Sequence, residues 1–182
     1  IEPNRYRVWR LKRKIVSRLR SLPFLRRADF YLILGYLAFS LLLYNLLGSN
    51  ERVTLPQAKQ FVDPGWISGD WFLGTGVGYR LPFSILAGSL ARFFPLHLTA
   101  LIGRIGILAL YSHVLQRYLR LFRVRTLLIL PFLFLHLRYQ NLVAGEWIVT
   151  LFETKSISYV LILLALLHLL NRKYFLFALM AG

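Results

Sequence analysis

The chain contains no cysteine, a single methionine and only seven carboxylates in 182 residues. Without cysteine it can be neither a disulfide-stapled scaffold nor a zinc domain built on thiolates. The same absence assigns no redox compartment. The scarcity of acid leaves 23 Lys and Arg largely unbalanced, for a formal net charge of +16. Charge is nevertheless sparse: 16% of residues are charged, against about 25% in an ordinary soluble domain. Hydrophobic residues make up 57% and the mean hydropathy is +0.56. A disordered chain is excluded, and a soluble globular domain fits poorly. The expected fold is all-α, a polytopic transmembrane helix bundle.

A strongly basic chain invites a nucleic-acid reading, and ten of the basic residues crowd Arg5 to Arg27, beside Tyr6 and Trp9. Within that stretch Val8, Leu11, Ile15, Leu19 and Leu22 recur at helical spacing and form one apolar face. Residues 1–28 are therefore predicted as a basic amphipathic helix on anionic headgroups, with membrane lipid rather than nucleic acid as partner. No small-residue cleavage site follows, so the stretch is not a cleavable signal peptide. Residue 1 is Ile, and the last residues lie inside an apolar run. That pattern is expected of the N-terminal piece of a longer protein.

Residues 29–182 carry the predicted transmembrane domain, with about four to five spans. Phe30 to Leu47 is an uncharged apolar run of 18 residues. Leu98 to Leu119, interrupted by Arg104, is the second span, Thr126 to Leu137 a short third around Pro131, and Ser156 to Leu170 the fourth. Tyr174 opens a fifth. Phe83 to Phe94, 12 residues long, suits a helix lying along the interface. Sixteen of the 23 basic residues fall on one side if the N-terminus is cytoplasmic, as the positive-inside rule requires. The expected location is thus a multi-pass membrane protein of the bacterial inner (plasma) membrane.

Five of the seven acids then lie on the outer side: Glu51, Asp63, Asp70, Glu146 and Glu153. The first three occupy an outer loop, residues 48–97, far longer than a simple connection. In it, Asp63-Pro64-Gly65 signals a turn, and Trp66 and Trp71 suit the headgroup level. Asp63 and Asp70 are thereby predicted near the interface, where partial desolvation suits a carboxylate to general-base work or to binding a divalent cation. The glycines of Gly74 to Gly78, next to Arg80, can bring backbone N–H groups to a phosphate, although a flexible loop is the plainer account.

On the second outer segment, Glu146 and Glu153 are seven residues apart and would share a face of a continuous helix, with Lys155 pointing elsewhere. Arg104 sits six residues into its span. It either snorkels to the surface or meets an anionic partner: Asp70, Glu146 or a lipid phosphate. His97 and His136 are expected near the same outer face, where a metal is conceivable but unspecified.

A basic cytoplasmic N-terminus, one span and a long acidic outer loop together resemble the N-terminal part of the GT-C class of integral-membrane glycosyltransferases. The segment from Asp63-Pro64-Gly65-Trp66 through Asp70-Trp71, with Glu153-Thr154-Lys155 opening a span, is similar to bacterial multispanning proteins of that layout. Many members carry two adjacent acids in this loop; here the two are seven apart, so either can hold that place. The resemblance implies transfer from a lipid-phosphate-linked sugar, a polyprenyl-phosphate donor. Asp70 or Asp63 would act on the acceptor. Arg80, Arg104 and Arg138 would face the donor phosphate, Glu146 and Glu153 the sugar or a divalent cation, and Lys155 would be a further substrate-binding residue. The alternative is a transporter or a non-catalytic multispanning protein, with the acids and Arg104 forming a path.

Overall fold

The computed structural model describes residues 23–41, 47–48, 50–74, 80–139 and 151–181. Among these the chain is all-α, without a strand. Helices α1 (Pro23–Leu41), α2 (Glu51–Val62), α3 (Trp71–Gly74), α4 (Leu81–Phe93) and α5 (Leu96–Leu121) precede a 3-10 turn (Thr126–Leu128). Helices α6 (Ile129–Tyr139), α7 (Thr154–Leu170) and α8 (Tyr174–Ala181) follow. Most of the basic segment 1–28 lies outside the described residues; its end is already helical, because Pro23 at the first position of α1 loses no helical hydrogen bond.

Helix α5 is the axis of the fold. Ala100, Gly103, Ile107, Leu108, Tyr111, Val114, Leu115 and Leu119 fall at steps of three and four and are buried, while Leu101, Ile105 and Leu110 face outward. Helices α1, α2, α4 and α7 all pack against it, and α6 packs on α1. Ile33 and Leu37, one turn apart on α1, are buried in this core. Helix α7 runs parallel to α5. Near its start Phe152 lies over Gly103, and further on the Leu163 carbonyl accepts from the Tyr118 hydroxyl at 2.7 Å. Parallel neighbours require the chain to return between them, and α6 begins that return.

One helix among the described residues, Leu96–Leu121, is both long and apolar enough to cross a bilayer. The segments Asp29–Phe39, Leu81–Phe93 and Thr154–Leu170 are apolar but shorter. Helix α4 matches the short apolar segment expected between the first two spans. Its neighbour is α2, drawn close at Gly88, where a Cβ would collide with the Ala58 carbonyl.

Helices α5 and α7 end in the same way. Val124 N–H donates to Leu119 O at 2.8 Å and Lys173 N–H to His168 O at 2.8 Å, each closing a turn through a left-handed residue. Those residues are Arg123 (φ 55°) and Arg172 (φ 58°), where glycine is usual.

Candidate functional site

The site forms where the N-terminal ends of α2, α5 and α7 meet. At its base lies Glu51, the first residue of α2, fully buried. Its carboxylate accepts four hydrogen bonds. Oε1 takes Arg104 Nε at 2.8 Å and the Phe152 backbone N–H at 2.7 Å; Oε2 takes the Gly48 N–H at 2.8 Å and the second nitrogen of the Arg104 fork. Arg104 is only 5% exposed. A bidentate guanidinium and two backbone donors compensate a charge that would otherwise be prohibitive to bury. The partner expected for Arg104 was Asp70, Glu146 or a lipid phosphate, or else open water by snorkelling. It is Glu51, 53 residues back in the chain.

The segment 151–153 passes over this pair and locks it. The Phe152 side chain is 2% exposed; its ring lies against Gly103 and tilts onto Phe83 with centroids 5.2 Å apart. Any side chain on Gly103 would occupy the place of that ring. The helical register expected to unite Glu146 and Glu153 does not extend through this segment: Glu153 has extended backbone (φ −146°, ψ 165°), and α7 begins one residue later. Glu146 lies outside the described residues.

Directly above the pair opens a pocket of about 310 Å³, lined by Asn50, Val53, Thr54, Arg80, Glu153, Thr154 and Lys155. Glu153 is 5% exposed. Its Oε2 accepts from Asn50 Nδ2 at 2.8 Å, and its Oε1 lies 3.3 Å from Lys155 Nζ. Lys155 therefore turns toward Glu153, against the expectation from helical spacing, because Glu153 is not itself on the helix. The Thr154 hydroxyl is buried and lacks a hydrogen-bond partner among the described residues. Arg80, the residue before α4, donates to Gln57 Oε1 at 3.4 Å, and Gln57 Nε2 donates to the Phe72 carbonyl at 3.3 Å. The pocket wall is thus tied through α2 to α3.

Three of the residues singled out in the sequence, Arg80, Glu153 and Lys155, meet in this pocket. Asp63 and Asp70 do not line it. Asp63 ends α2 and opens the expected turn, with its carbonyl accepting from Trp66 N–H at 3.0 Å. Asp70 is exposed, and its Oδ1 accepts from Leu73 N–H at 3.0 Å at the start of α3. Lys59 stacks over the Trp66 ring at 4.5 Å and holds the turn against α2. Arg138 is exposed near the end of α6, with its guanidinium 5.9 Å from the Tyr139 ring. Residues 75–79 of the glycine-rich stretch lie outside the described residues.

His136 is hydrogen-bonded to the Tyr111 hydroxyl and stacked on both Tyr111 and Phe132. Tyr111 lies near the middle of α5, about 22 Å along the axis from its start. His136 is accordingly at mid-depth and not at the face where His97 stands exposed. Among the described residues no three His, Asp or Glu side chains converge to hold a metal.

Asn50 and Thr54 were not singled out in the sequence; Glu51 stood there only as one of five outer acids, and Thr154 only between Glu153 and Lys155. The usable signal was depth. Glu51 follows one apolar run by a few residues and Arg104 enters the next by a few, so both fall at one level of the fold. No protein-family model, no characterised protein and no solved structure matches this chain.

Proposed function

We infer that this chain belongs to a multi-pass membrane protein of GT-C-like glycosyltransferase type, whose end-of-bundle pocket takes a lipid-phosphate-linked sugar on the outer side. The observation that carries it is the pocket itself: two cations, Arg80 and Lys155, flank the buried carboxylate Glu153 and the unpartnered Thr154 hydroxyl. Fixed cations are what a phosphoryl leaving group requires, and a carboxylate with neighbouring amide and hydroxyl groups suits sugar hydroxyls. Apolar side chains point outward along the elements beneath the pocket. Leu101 and Ile105 on α5, Phe134 and Leu135 on α6, Ile162 and Leu166 on α7, and Phe175 and Leu179 on α8 are all exposed. So much outward apolar surface supports a bilayer around the bundle.

In this reading Arg80 and Lys155 hold the donor phosphate, and Glu153 orients the sugar. Asp70, or Asp63, deprotonates the acceptor from the loop above. The link from Arg80 through Gln57 to Phe72 couples that loop to the donor site. Arg104 supports the pocket floor through Glu51 instead of contacting donor.

The test is sugar transfer from a polyprenyl-phosphate donor by the full-length protein. Arg80→Gln and Lys155→Gln are expected to raise the donor KM, and Glu153→Gln and Asp70→Asn to lower kcat. Wild-type kinetics in all four variants would remove the site. Substrate uptake into vesicles without transfer would favour the transporter instead; the hydrogen-bonded closure of Arg104 on Glu51 argues against an open charge path there.

A further inference from the structure

At the opposite end of the bundle, between the C-terminal ends of α5 and α7, lies a second cavity, of about 390 Å³. Arg117, Arg120 and Lys173 line it, with His168 and Asn171 completing its polar wall. Leu121 and Leu167 give it an apolar side. Among the described residues no carboxylate lines it, and the two stretches that build it, residues 71–145 and 154–182, contain no Asp or Glu at all. Asp29, near the start of α1, is the described acid on this side of the fold, and it does not reach the cavity.

A cation near each helix C-terminus is the ordinary complement of the helix dipole. That need does not gather three cations around one volume. Several of the helix-end carbonyls that would repel an anion here are also occupied. Leu167 O accepts from both the N–H (3.1 Å) and the Nδ2 (2.7 Å) of Asn171, and His168 O accepts from Lys173 N–H. On α5, Tyr118 O accepts from Phe122 N–H at 2.9 Å. The turns that achieve this place Arg at both left-handed positions, retaining charge where glycine would be the less strained choice.

We propose that this cavity binds the phosphodiester of an anionic phospholipid from the leaflet that borders it. The three cations pair with the phosphate, and His168 and Asn171 face the headgroup hydroxyls. The acyl chains leave past Leu121 and Leu167 onto exposed Phe122, Leu166, Leu169 and Leu170. A free phosphate would use the same cations but not that apolar exit. A basic hollow between helices at a membrane boundary is a recurrent form of headgroup recognition. The proposal rests on the membrane reading above but not on the sugar pocket, which lies at the other end of α5.

The experiment uses the full-length protein in detergent micelles, with retention of added phosphatidylglycerol against phosphatidylcholine measured by native mass spectrometry. Wild type should retain phosphatidylglycerol selectively. Arg117→Gln/Arg120→Gln/Lys173→Gln should weaken that retention about 100-fold. The charge-matched set Arg123→Gln/Arg125→Gln/Arg172→Gln, outside the lining, should leave most of it. If the triple variant fails to fold, Lys173→Gln alone should weaken retention about fivefold and carries the test. Equal losses in both triple sets would mean diffuse charge and overturn the cavity. Displacement of the lipid by inorganic phosphate at equal concentration would make it a phosphate site and overturn the lipid source. Unselective retention by a protein that still inserts and transfers sugar would overturn this proposal alone. A protein that does not insert would overturn the membrane reading as well.

Discussion

At the scale of single residues, the Glu51–Arg104 pair is where the fold is most sensitive. Both charges are out of water; the Glu51 carboxylate is compensated by the Arg104 fork and by two backbone N–H groups, and Arg104 pairs with Glu51. Removing one partner strands the other. Glu51→Gln keeps the shape but removes the carboxylate onto which Arg104 forks, and a loss of about 3–5 kcal/mol is expected. Glu51→Gln/Arg104→Met removes both charges and should recover much of that loss, because buried pairs add little beyond an apolar replacement. Thermal unfolding of the two variants in the same detergent checks this; equal stability of Glu51→Gln and wild type would mean that water reaches the pair. Arg104 was legible as an oddity, since a charge inside an apolar run always demands a partner. Its partner was not legible. That choice depends on how α2 turns back onto α5, a long-range event with no local signature.

At the scale of elements, two glycines set how closely the helices approach. Gly88 lets α4 lie on the Ala58 carbonyl of α2, and Gly103 lets α5 receive the Phe152 ring. The two positions differ in how the neighbour can respond. A backbone carbonyl cannot rotate away, whereas a phenyl ring can be replaced. Gly88→Ala is therefore expected to push α2 from α4 and cost about 1–3 kcal/mol. Limited proteolysis should then cut the segment 63–70 faster than in wild type, while helix α7 stays protected. Gly103→Ala should cost a similar amount and be partly rescued by Phe152→Leu; a rescue of Gly88→Ala by that same change would mean the two contacts are not separate. The long apolar runs made α5 and α7 readable, and both begin within two residues of the expected starts, whereas α2 and α3 lay inside the stretch read as an outer loop. The start of α1 and the pairing of α4 with α2 were not readable, because a Pro at a helix N-terminus and a glycine contact between helices leave no trace in hydropathy. The extended backbone at Glu153 was equally hidden: it comes from packing Phe152 into α5, and it brings Lys155 onto Glu153.

At the scale of the whole molecule, the described carboxylates other than Asp29 gather at one end of α5. The carboxylates Glu51, Asp63, Asp70 and Glu153 belong to the end where α5 begins, and Arg117 to Arg125 to the end where it stops. A helix of 26 residues is about 39 Å long, more than a hydrocarbon core of about 30 Å. In the membrane reading proposed above, the arginine-rich end would be held on the cytoplasmic side, which gives the bundle one orientation. The absence of cysteine simplifies the measurement, since an introduced thiol is the only one among these 182 residues. Ile67 and Phe122 are exposed at opposite ends, 42% and 67% respectively. In intact cells a membrane-impermeant maleimide should label Ile67→Cys and spare Phe122→Cys, and opening the inner membrane should make the second reactive. Labelling of both from outside would place the acids and arginines in one compartment, and with them the proposed sugar pocket and the proposed headgroup cavity. The positive-inside rule would then have failed on a chain with 16 surplus positive charges, so the more economical conclusion would be that α5 does not cross the membrane.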